Sequence, residues 1–327
     1  MKIGIASFAH MHAYSYAKAL IQLEGVELAG IYDPDEQRGQ KFAGILGTSY
    51  YGDYAELLSQ GLSGIVVTSE NANHKEQVLA AAKAGVHVLC EKPISTNAAD
   101  ARDMIEACKA AGVMLQTAFP VRYNRSVIRA KQMIDEGKLG RILAMKGTNR
   151  GQNPGGWFVD PALSGGGAVI DHTVHVADIM RWFTGAEVKE VYAEIGQLMS
   201  AAPIDDCGIL SIEFDNGVFA TLDCSWSRNP SFPTWGDVTL EIVGTAGTLT
   251  IDAFGQKLNV FSEERGYRHH FWGDDMDFGL VRDFVASIAE GRTEANVTGV
   301  DGLKALEVAL AAYRSAERLA AVSPAEL

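Results

Sequence analysis

Short runs of apolar residues alternate with helical patterns through the first 120 or so positions of the chain. The strands predicted from the apolar runs cover residues 2–7, 26–33, 63–69, 86–93 and 113–119. Helices are predicted between them from apolar residues three and four positions apart, at 14–23, 37–46, 54–58, 74–84 and 98–111. Apolar strands separated by helices indicate a parallel sheet that is covered on both faces. The pattern therefore predicts a doubly wound α/β domain, which binds ligands outside the carboxyl ends of its strands.

The pattern changes after residue 122. A helix is predicted at 127–136, and strands are predicted at 140–150, 188–198, 205–214, 217–227, 237–252 and 257–262. The dipeptide Asn216-Gly217 lies between two alternating strands and is a strong hairpin signal. One helix interrupts the strands and two close the chain, at 171–183, 278–290 and 300–321. We therefore expect a second α/β domain with a mostly antiparallel sheet, and a domain boundary near residue 120.

Composition and charge narrow the classes of partner. Of the 327 residues, 47% are apolar and 21% are charged, which is ordinary for a globular protein with a hydrophobic core. The 28 basic and 41 acidic residues give a net charge of −13. A surface this acidic repels nucleic acid and anionic lipid, so neither is expected as a partner. An anionic cofactor remains compatible with it, because backbone N–H groups at a helix end can bind phosphate.

The sequence also bears on location. Its beginning lacks the apolar stretch of a signal peptide, and no run of about 18 apolar residues is present, so no membrane association is expected. The cysteines lie far apart and form no C-x-x-C pair; they are Cys90, Cys108, Cys207 and Cys224. We interpret them as reduced thiols and expect a cytoplasmic protein.

The turn after the first predicted strand bears on cofactor binding. Dinucleotide-binding folds usually carry G-x-G-x-x-G there, but all three glycines are replaced in this chain, which has Ser7-Phe8-Ala9-His10-Met11-His12. The context survives, since the turn precedes a helix whose first N–H groups can bind pyrophosphate. Asp33 ends the second strand, where a carboxylate accepts ribose hydroxyls and favours NAD over NADP. Asp33 is explained equally well as a turn residue in Asp-Pro-Asp.

Two later motifs are more specific. Glu91-Lys92-Pro93 ends the fourth strand, and Ser164-Gly165-Gly166-Gly167 precedes Asp171-x-x-x-His175, which is followed by Asp178 and Trp182-Phe183-Thr184-Gly185. Weaker matches are residues 70–74, with Glu70 in place of a proline, Arg122-Tyr123-Asn124, and residues 297–302. With these motifs in this order and spacing, the chain resembles the Gfo/Idh/MocA family of oxidoreductases (glucose–fructose oxidoreductase, inositol dehydrogenase) over nearly its whole length.

The resemblance implies a dinucleotide-binding Rossmann domain at 1–120. It implies a substrate-binding α/β domain at 121–327, whose large open sheet often forms the oligomer contact. The implied cofactor is NAD, with NADP as the alternative, and the implied assembly is a homo-oligomer, either a dimer or a tetramer. Together with the turn and Asp33, the resemblance gives these cofactor-binding residues: Phe8, Ala9, His10, Asp33, Ser69, Asn71, His74, Glu91 and Lys92.

Lys92, Asp171 and His175 are the catalytic residues that the resemblance implies. Oxidation of a secondary alcohol needs a group that removes the hydroxyl proton while the hydride faces the nicotinamide. Lys92 could stabilise alkoxide charge, and an imidazole such as that of His175 titrates near neutral pH. Asp171 lies one helical turn before His175 and could orient the ligand or assist the proton relay. A solvated lysine and a helix-stabilising pair are the alternatives, and the family's frequent cis Lys-Pro bond favours catalysis.

Substrate contacts are expected from Arg122, Asn153, Trp157 and His172. Arg122 follows from the resemblance. Trp157 would offer an apolar platform to a sugar ring, although a buried core tryptophan explains it about as well.

A metal site is the other reading of the histidines. His10, His12 and His172 could join Asp171 and His175 around zinc, because nitrogen and carboxylate ligands suit that ion. Isolated histidines are more often hydrogen-bonded structural residues, so no metal site is predicted.

The sequence thus predicts an NAD(P)-dependent oxidoreductase that transfers a hydride between a nicotinamide and a hydroxyl or carbonyl carbon of a sugar, polyol or related carbohydrate. One alternative is an NAD-dependent lyase or glycosidase without net redox change, and another is a non-catalytic dinucleotide-binding sensor. The presence of Lys92, Asp171 and His175 favours an enzyme, whereas the replaced glycines favour the sensor.

Overall fold

A computed structural model describes residues 1–271 and 273–327 and divides the chain into two compact units. The first unit comprises Met1–Pro120, Asp160–Gly165 and Asp277–Leu306. The second comprises Val121–Val159, Gly166–Met276 and Glu307–Leu327. Two later segments therefore join the first unit, whereas the sequence assigned them to the second domain.

The first unit is built on a six-stranded sheet. Its strands are β1 (Lys2–Ala6), β2 (Glu27–Tyr32), β3 (Tyr50–Tyr51), β4 (Gly64–Val67), β5 (His87–Cys90) and β6 (Leu115–Thr117). Their order is β3-β2-β1-β4-β5-β6, and every neighbouring pair is parallel. This is the strand order of dinucleotide-binding sheets, in which the reversal between β1 and β4 marks the ligand crevice. The predicted parallel sheet is confirmed, and β3 is an addition that the sequence pattern did not predict.

Helices connect these strands close to their predicted positions. They are α1 (His12–Gln22), α2 (Glu36–Leu46), α3 (Tyr54–Leu58), α4 (His74–Lys83) and α5 (Ala98–Ala111). Later helices are α6 (Arg125–Asp135), α7 (Pro161–Ser164), α8 (Ala168–Thr184), α9 (Met276–Ala289) and α10 (Gly299–Arg318). None of the helices in the described ranges combines the length and apolarity needed to cross a membrane.

The second unit contains a mixed sheet. Its strands are β7 (Ile142–Gly151), β8 (Val188–Gly196), β9 (Cys207–Phe214), β10 (Phe219–Asp223), β11 (Gly236–Gly244) and β12 (Thr248–Asp252). The order is β12-β11-β7-β10-β9-β8, and all pairs are antiparallel except β7 with β10. The predicted mostly antiparallel sheet is confirmed. The hairpin at Asn216-Gly217 also forms, with Gly217 at a φ of +83°.

Two details of the strand prediction differ from the structure. The single strand predicted at 237–252 is the hairpin of β11 and β12. The predicted strand β13 (Lys257–Ser262) pairs with a strand that was not predicted, β14 (Gly266–Phe271).

One face of the mixed sheet is covered by α8. Alternate residues of β9 are buried, including Leu210 and Ile212, and they share a core with Val176 and Met180 of the helix. The residues between them, such as Ile209, are exposed on the other face. The sheet is therefore amphipathic, with one face in the core and one face open.

Candidate functional site

The predicted cofactor-binding residues follow four neighbouring strands of the parallel sheet. They comprise Phe8, Ala9 and His10 after β1, Asp33 after β2, Ser69, Asn71 and His74 after β4, and Glu91 and Lys92 after β5. Because the carboxyl ends of parallel strands meet at one edge, these residues share the edge where such sheets bind dinucleotides.

The turn after β1 keeps a glycine-like shape without its glycines. Ser7, at the first fingerprint position, has a φ of 75°, in the left-handed region that usually favours glycine. Its Oγ accepts the N–H of Ala9 at 3.1 Å. The N–H of Phe8 donates to Asp33 Oδ2 at 2.7 Å, and that of His10 donates to the Thr68 carbonyl at 3.0 Å. These three N–H groups thus hold the turn together, and their predicted role in binding the cofactor stays a prediction.

Asp33 is fully buried and is paired with an arginine that the sequence reasoning missed. Arg38 donates from Nε to Asp33 Oδ2 at 2.8 Å and from Nη2 to Oδ1 at 2.7 Å. Besides these two contacts and the N–H of Phe8, the carboxylate accepts the N–H of Asp35 at 2.9 Å, so Asp33 also stabilises its own turn. The signal that could have revealed the pair is a basic residue in the first turn of the helix that follows the strand-end acid.

The segment after β4 offers polar atoms to a ligand. Ser69 Oγ and Asn71 Oδ1 are buried and have no hydrogen-bond partner among the described residues. A buried polar atom without a partner carries a free-energy penalty, so its presence at a ligand-binding edge fits a bound polar cofactor. His74 differs, because its ring nitrogens lie 3.2 Å from the carbonyl oxygens of Pro93, Ile94 and Ser69. His74 therefore ties two loops together.

Glu91 gathers two histidines in the first unit. Its fully buried carboxylate lies 2.9 Å from His12 Nδ1 and 3.8 Å from His10 Nδ1, and it accepts the N–H of Lys92 at 2.9 Å. Although burial alone would raise the pKa of Glu91, the two imidazoles hold that pKa well below its usual range. Burial lowers the pKa of His12, but the Glu91 carboxylate outweighs this and leaves it above its usual value. No role was assigned to His12 from sequence, and the structure makes it the partner of Glu91.

The same cluster has the chemistry of a metal site. Ligand atoms of His10, His12 and Glu91 lie within 4.8 Å of one another, and imidazole and carboxylate are zinc ligands. Hydrogen bonds already join these residues, since His10 Nδ1 accepts the backbone N–H of His12 at 3.2 Å and His12 Nδ1 lies 2.9 Å from Glu91 Oε1. His172 and Asp171, which the sequence considered for the same ion, form a separate contact in the second unit at 3.3 Å.

Lys92 is 5% exposed and its bond to Pro93 is cis, as the resemblance implied. Few lysines are buried to this extent unless the ammonium group is paired with another group of the protein or with a ligand. The alternative of a solvated lysine at the strand end is therefore not what the structure shows.

The remaining predicted catalytic residues lie on α8. Asp171 and His175 are in the helix at the predicted i, i+4 spacing, and His172 and His175 are both buried. Asp171 Oδ2 accepts the indole N–H of Trp226 at 3.2 Å and lies 3.3 Å from His172 Nε2. His172, predicted to contact substrate, thus belongs to the cluster that positions the Asp171 carboxylate.

The start of α8 depends on an acid far along the chain. Asp205 accepts the N–H groups of Gly167 and Val169, each at 2.8 Å, and the hydroxyl of Tyr313 at 2.9 Å. A Cβ on Gly167 would lie 1.9 Å from the Asp205 carbonyl oxygen, so this glycine lets the chain approach closely. Sequence reasoning missed Asp205, because nothing local links it to a helix that begins at residue 168.

Arg122 forms a buried ion pair. Its Nε and Nη2 each donate to the carboxylate of Asp178 at 2.6 Å, and its guanidinium lies 5.2 Å from the ring centroid of Trp182. Asp178 is fully buried and Arg122 is 8% exposed. The predicted substrate contact of Arg122 stays a prediction, and the geometry gives the residue a structural task in addition.

Asn153 and Trp157 lie in the loop after β7. Asn153 is exposed, and its Oδ1 accepts the N–H of Gly155 at 2.9 Å in a local turn. Trp157 stacks on Phe158 at a centroid distance of 3.9 Å and packs against a small apolar cluster that contains Trp226. The packing role that the sequence allowed for Trp157 is therefore present, and substrate binding by either residue stays a prediction.

Two family profiles match the chain. The profile described as "Oxidoreductase family, NAD-binding Rossmann fold" matches residues 1–119, and "GFO/IDH/MocA C-terminal domain" matches residues 127–250. The two matches together span most of both units.

Individual relatives agree with the profiles. The myo-inositol 2-dehydrogenase of Thermotoga maritima is 29% identical over a 341-residue alignment that covers 100% of this chain and 99% of the relative. The 2,7-anhydro-N-acetylneuraminate hydratase of Escherichia coli is 30% identical over 258 residues, with 76% of this chain and 64% of the relative covered. The crystal structure of GenD2 from gentamicin A biosynthesis, in complex with NAD, has a TM-score of 0.90 at 26% identity and covers 99% of this chain and 96% of its own.

Proposed function

We propose a reaction for this chain on the ground that it belongs to the Gfo/Idh/MocA family of NAD-binding oxidoreductases. The proposed reaction is transfer of a hydride between NAD and a hydroxyl-bearing ring carbon of a cyclic polyol, such as an inositol. The similarity of the whole chain to an inositol dehydrogenase supports the substrate class. The observation that carries the proposal is the burial of Lys92, which is 5% exposed at the carboxyl end of β5 in a sheet of dinucleotide-binding order.

The residues at this edge suit a dinucleotide. Buried Ser69 Oγ and Asn71 Oδ1 provide polar atoms whose hydrogen bonds are not met among the described residues. Bound NAD supplies the carbon that accepts the hydride. Phe8, Ala9 and His10 would border its pyrophosphate, and Asp33 and Glu91 would contribute polar contacts to the rest of the molecule.

Three side chains have separate roles in the proposed chemistry. The Lys92 ammonium donates a hydrogen bond to the reacting hydroxyl oxygen and stabilises the alkoxide charge that develops there. His175 takes the hydroxyl proton, since an imidazole can accept a proton near neutral pH. Asp171 orients the substrate through its carboxylate, which Trp226 and His172 hold in place. Arg122, Asn153, Trp157 and His172 are proposed as the substrate's other neighbours.

The test is turnover of the purified chain with NAD and a panel of inositols and sugars, followed by the absorbance of reduced nicotinamide. We expect Lys92→Ala and His175→Ala each to lower kcat by at least about a hundredfold, in the range usual for general acid–base groups. Lys41→Ala in the first unit and Lys138→Ala in the second are matched controls and should keep wild-type rates. Full activity in both active-site variants would remove the proposed mechanism.

A second candidate is a lyase or hydratase that oxidises its substrate only transiently. One relative, 30% identical over 258 residues, is named as a hydratase, and this similarity supports a reaction without net redox change. It predicts a changed carbohydrate product without net accumulation of reduced nicotinamide. Mass analysis of the products beside the absorbance measurement separates the two reactions.

We also propose a division of labour and an assembly. Residues 1–120 would bind the dinucleotide, and 121–327 would bind substrate and form a homo-oligomer, a dimer or a tetramer. The open face of the mixed sheet supports this, since Ile209 and Phe219 there are 52% and 61% exposed. Sedimentation of the wild type against Phe219→Lys tests it, because a charge at a packed interface should dissociate the assembly.

The cytoplasm is the proposed location. Cys90, Cys108, Cys207 and Cys224 are all free thiols in the structure, which suits a reducing compartment. Fractionation of the source cells tests this directly.

A further inference from the structure

Two histidines and a glutamate converge at the carboxyl edge of the first sheet. His10 lies in the turn after β1, His12 is the first residue of α1, and Glu91 follows β5. His12 fills the third glycine position of the dinucleotide fingerprint, a position that has no need of an imidazole. Nδ1 of His10 lies 3.8 Å from Glu91 Oε1, and Nδ1 of His12 lies 2.9 Å from the same oxygen. The two imidazoles therefore approach a single carboxylate oxygen.

The spacing of these atoms suits one metal ion. A tetrahedral zinc ion with bonds of about 2.0–2.2 Å separates its ligand atoms by roughly 3.3–3.6 Å. The two distances to Glu91 Oε1, 2.9 and 3.8 Å, lie on either side of that range, and the three residues offer ligand atoms within 4.8 Å of one another. Side-chain shifts of about 1 Å or less would therefore let one ion contact all three residues.

The surroundings of the cluster orient its members. Glu91 Oε2 accepts the N–H of Lys92 at 2.9 Å, so this contact holds the carboxylate with its other oxygen beside the histidines. The side chains of His10 and Glu91 are buried, whereas that of His12 is 28% exposed and gives an ion a route from solvent. The hydroxyl of the fully buried Tyr16 lies 3.3 Å from His12 Nδ1 and is a polar neighbour for a further ligand.

The charges around the cluster favour a cation. Those that act on His12 are the carboxylates of Glu91 and Asp277 and the ammonium of Lys92. Two negative charges thus face one positive charge, and Asp277 is held by a hydrogen bond from Ser15 Oγ on α1. In the metal-free chain, hydrogen bonds within the cluster take the place of the ion's bonds.

We propose that His10, His12 and Glu91 form a site for a divalent cation of the zinc type with one open position. Two histidines and one glutamate are a zinc ligand set that leaves the fourth position to water or to another oxygen. Because the site lies at the edge where such sheets bind ligands, an anionic group such as a phosphate is the class of ligand that would take that position. The ion would link the turn after β1 to the end of β5, and the contacts proposed for His10 and Glu91 with the dinucleotide would be made through it.

The test measures binding of Zn²⁺ and Co²⁺ to the full chain after treatment with a chelator, in the absence of dinucleotide. We expect one Zn²⁺ per chain by calorimetry, and visible absorption of four-coordinate Co²⁺ that added Zn²⁺ abolishes. His10→Gln and His12→Gln should each weaken Zn²⁺ binding at least about a hundredfold, because even the partners of metal ligands contribute about ten- to a hundredfold. Zn²⁺ should also raise the melting temperature of the wild type, and this rise should be lost in both variants.

His270→Gln is the matched control, since His270 is an exposed histidine of β14 in the second unit, and this variant should bind Zn²⁺ as the wild type does. The rise in melting temperature is compared within each variant, so a variant of lower basal stability still gives an answer. Binding that survives unchanged in both His10→Gln and His12→Gln would mean adventitious metal only and would overturn the inference, as would a wild type that binds neither ion. Either result would leave the proposed function standing, because hydride transfer is measured separately with NAD and polyols.

Discussion

Replacing Arg122 separates a structural role from a substrate-binding role. The guanidinium makes two hydrogen bonds of 2.6 Å to Asp178, whose side chain is fully buried. Arg122→Ala would leave that carboxylate without its cation in a site that water does not reach. Removing one partner of such a pair typically costs about 3–5 kcal/mol. Loss of the contact with the Trp182 ring, 5.2 Å from the guanidinium, adds roughly 0.5–2 kcal/mol.

A double variant tests the same ion pair by removing both of its charges. Replacing both residues, as in Arg122→Met with Asp178→Leu, removes the buried charges together. Such replacements are often neutral or stabilising by about 1–4 kcal/mol, because the desolvation penalty disappears with the pair. We therefore expect the double variant to recover most of the stability that Arg122→Ala loses.

Urea unfolding followed by tryptophan fluorescence is the assay. Trp157, Trp182, Trp226 and Trp235 all belong to the second unit, so their emission reports on the unit that contains the pair. A loss of about 4 kcal/mol at a slope of roughly 2–3 kcal/mol/M lowers the midpoint by about 1–2 M. A midpoint within error of the wild type, together with a raised KM for the polyol, would refute the structural reasoning and support the substrate contact.

Three further outcomes are expected. Asp205→Ala should destabilise the second unit by at least about 1–2 kcal/mol, the usual cost of losing a helix cap, and the same urea midpoint measures this; an unchanged midpoint would mean that α8 starts without its cap. Ser7→Gly should change the melting temperature little, because relief of about 1–2 kcal/mol of left-handed strain is offset by the lost hydroxyl contacts and by the entropy of glycine; a large loss would show that the Ser7 side chain holds the turn. The Glu91–His12 pair should stabilise the fold most between about pH 4.5 and 6.5. The pKa of Glu91 is depressed, so its contribution is lost as pH falls through that depressed value, whereas the pKa of His12 is raised, so its contribution is lost as pH rises through that raised value. The melting temperatures of the wild type and His12→Phe should differ most inside this window and should converge only once the pH has passed one of these two shifted pKa values.

The parts of the fold that the sequence predicted are those with a local signal. The five strands of the first sheet that were predicted are apolar runs, and β3 escaped notice because it has only two residues. Strand β14 was missed for a different reason. Tyr267 is exposed, and β13, the strand with which β14 pairs among the described residues, is also largely exposed. Such strands lack the alternation that burial on one face imposes.

The parts of the site that the sequence missed depend on distant partners. Helix α8 begins three residues before its predicted start because Asp205, which follows β8 in the sequence, accepts the N–H of Gly167 and caps the helix. Arg122 was expected from the resemblance to contact substrate, which stays a prediction, and its ion pair with Asp178 was missed because Asp178 lies 56 positions further along. The lost glycines pointed away from a nucleotide fold, yet Ser7 adopts the left-handed conformation that a glycine would have taken.

The first unit is assembled from parts of the chain that are made at different times. The N–H of Thr117 on β6 donates to the carbonyl of Val297, and a Cβ on Gly64 of β4 would lie 2.9 Å from Ile288 of α9. Residues 277–306 thus complete a sheet whose strands end near residue 117. Synthesis runs from the amino terminus. One edge and part of one face of the nascent Rossmann sheet therefore stay uncovered until most of the chain has been synthesised. A fragment ending at residue 120 should therefore aggregate. We also expect the nascent chain to bind a chaperone before synthesis of its second unit is complete.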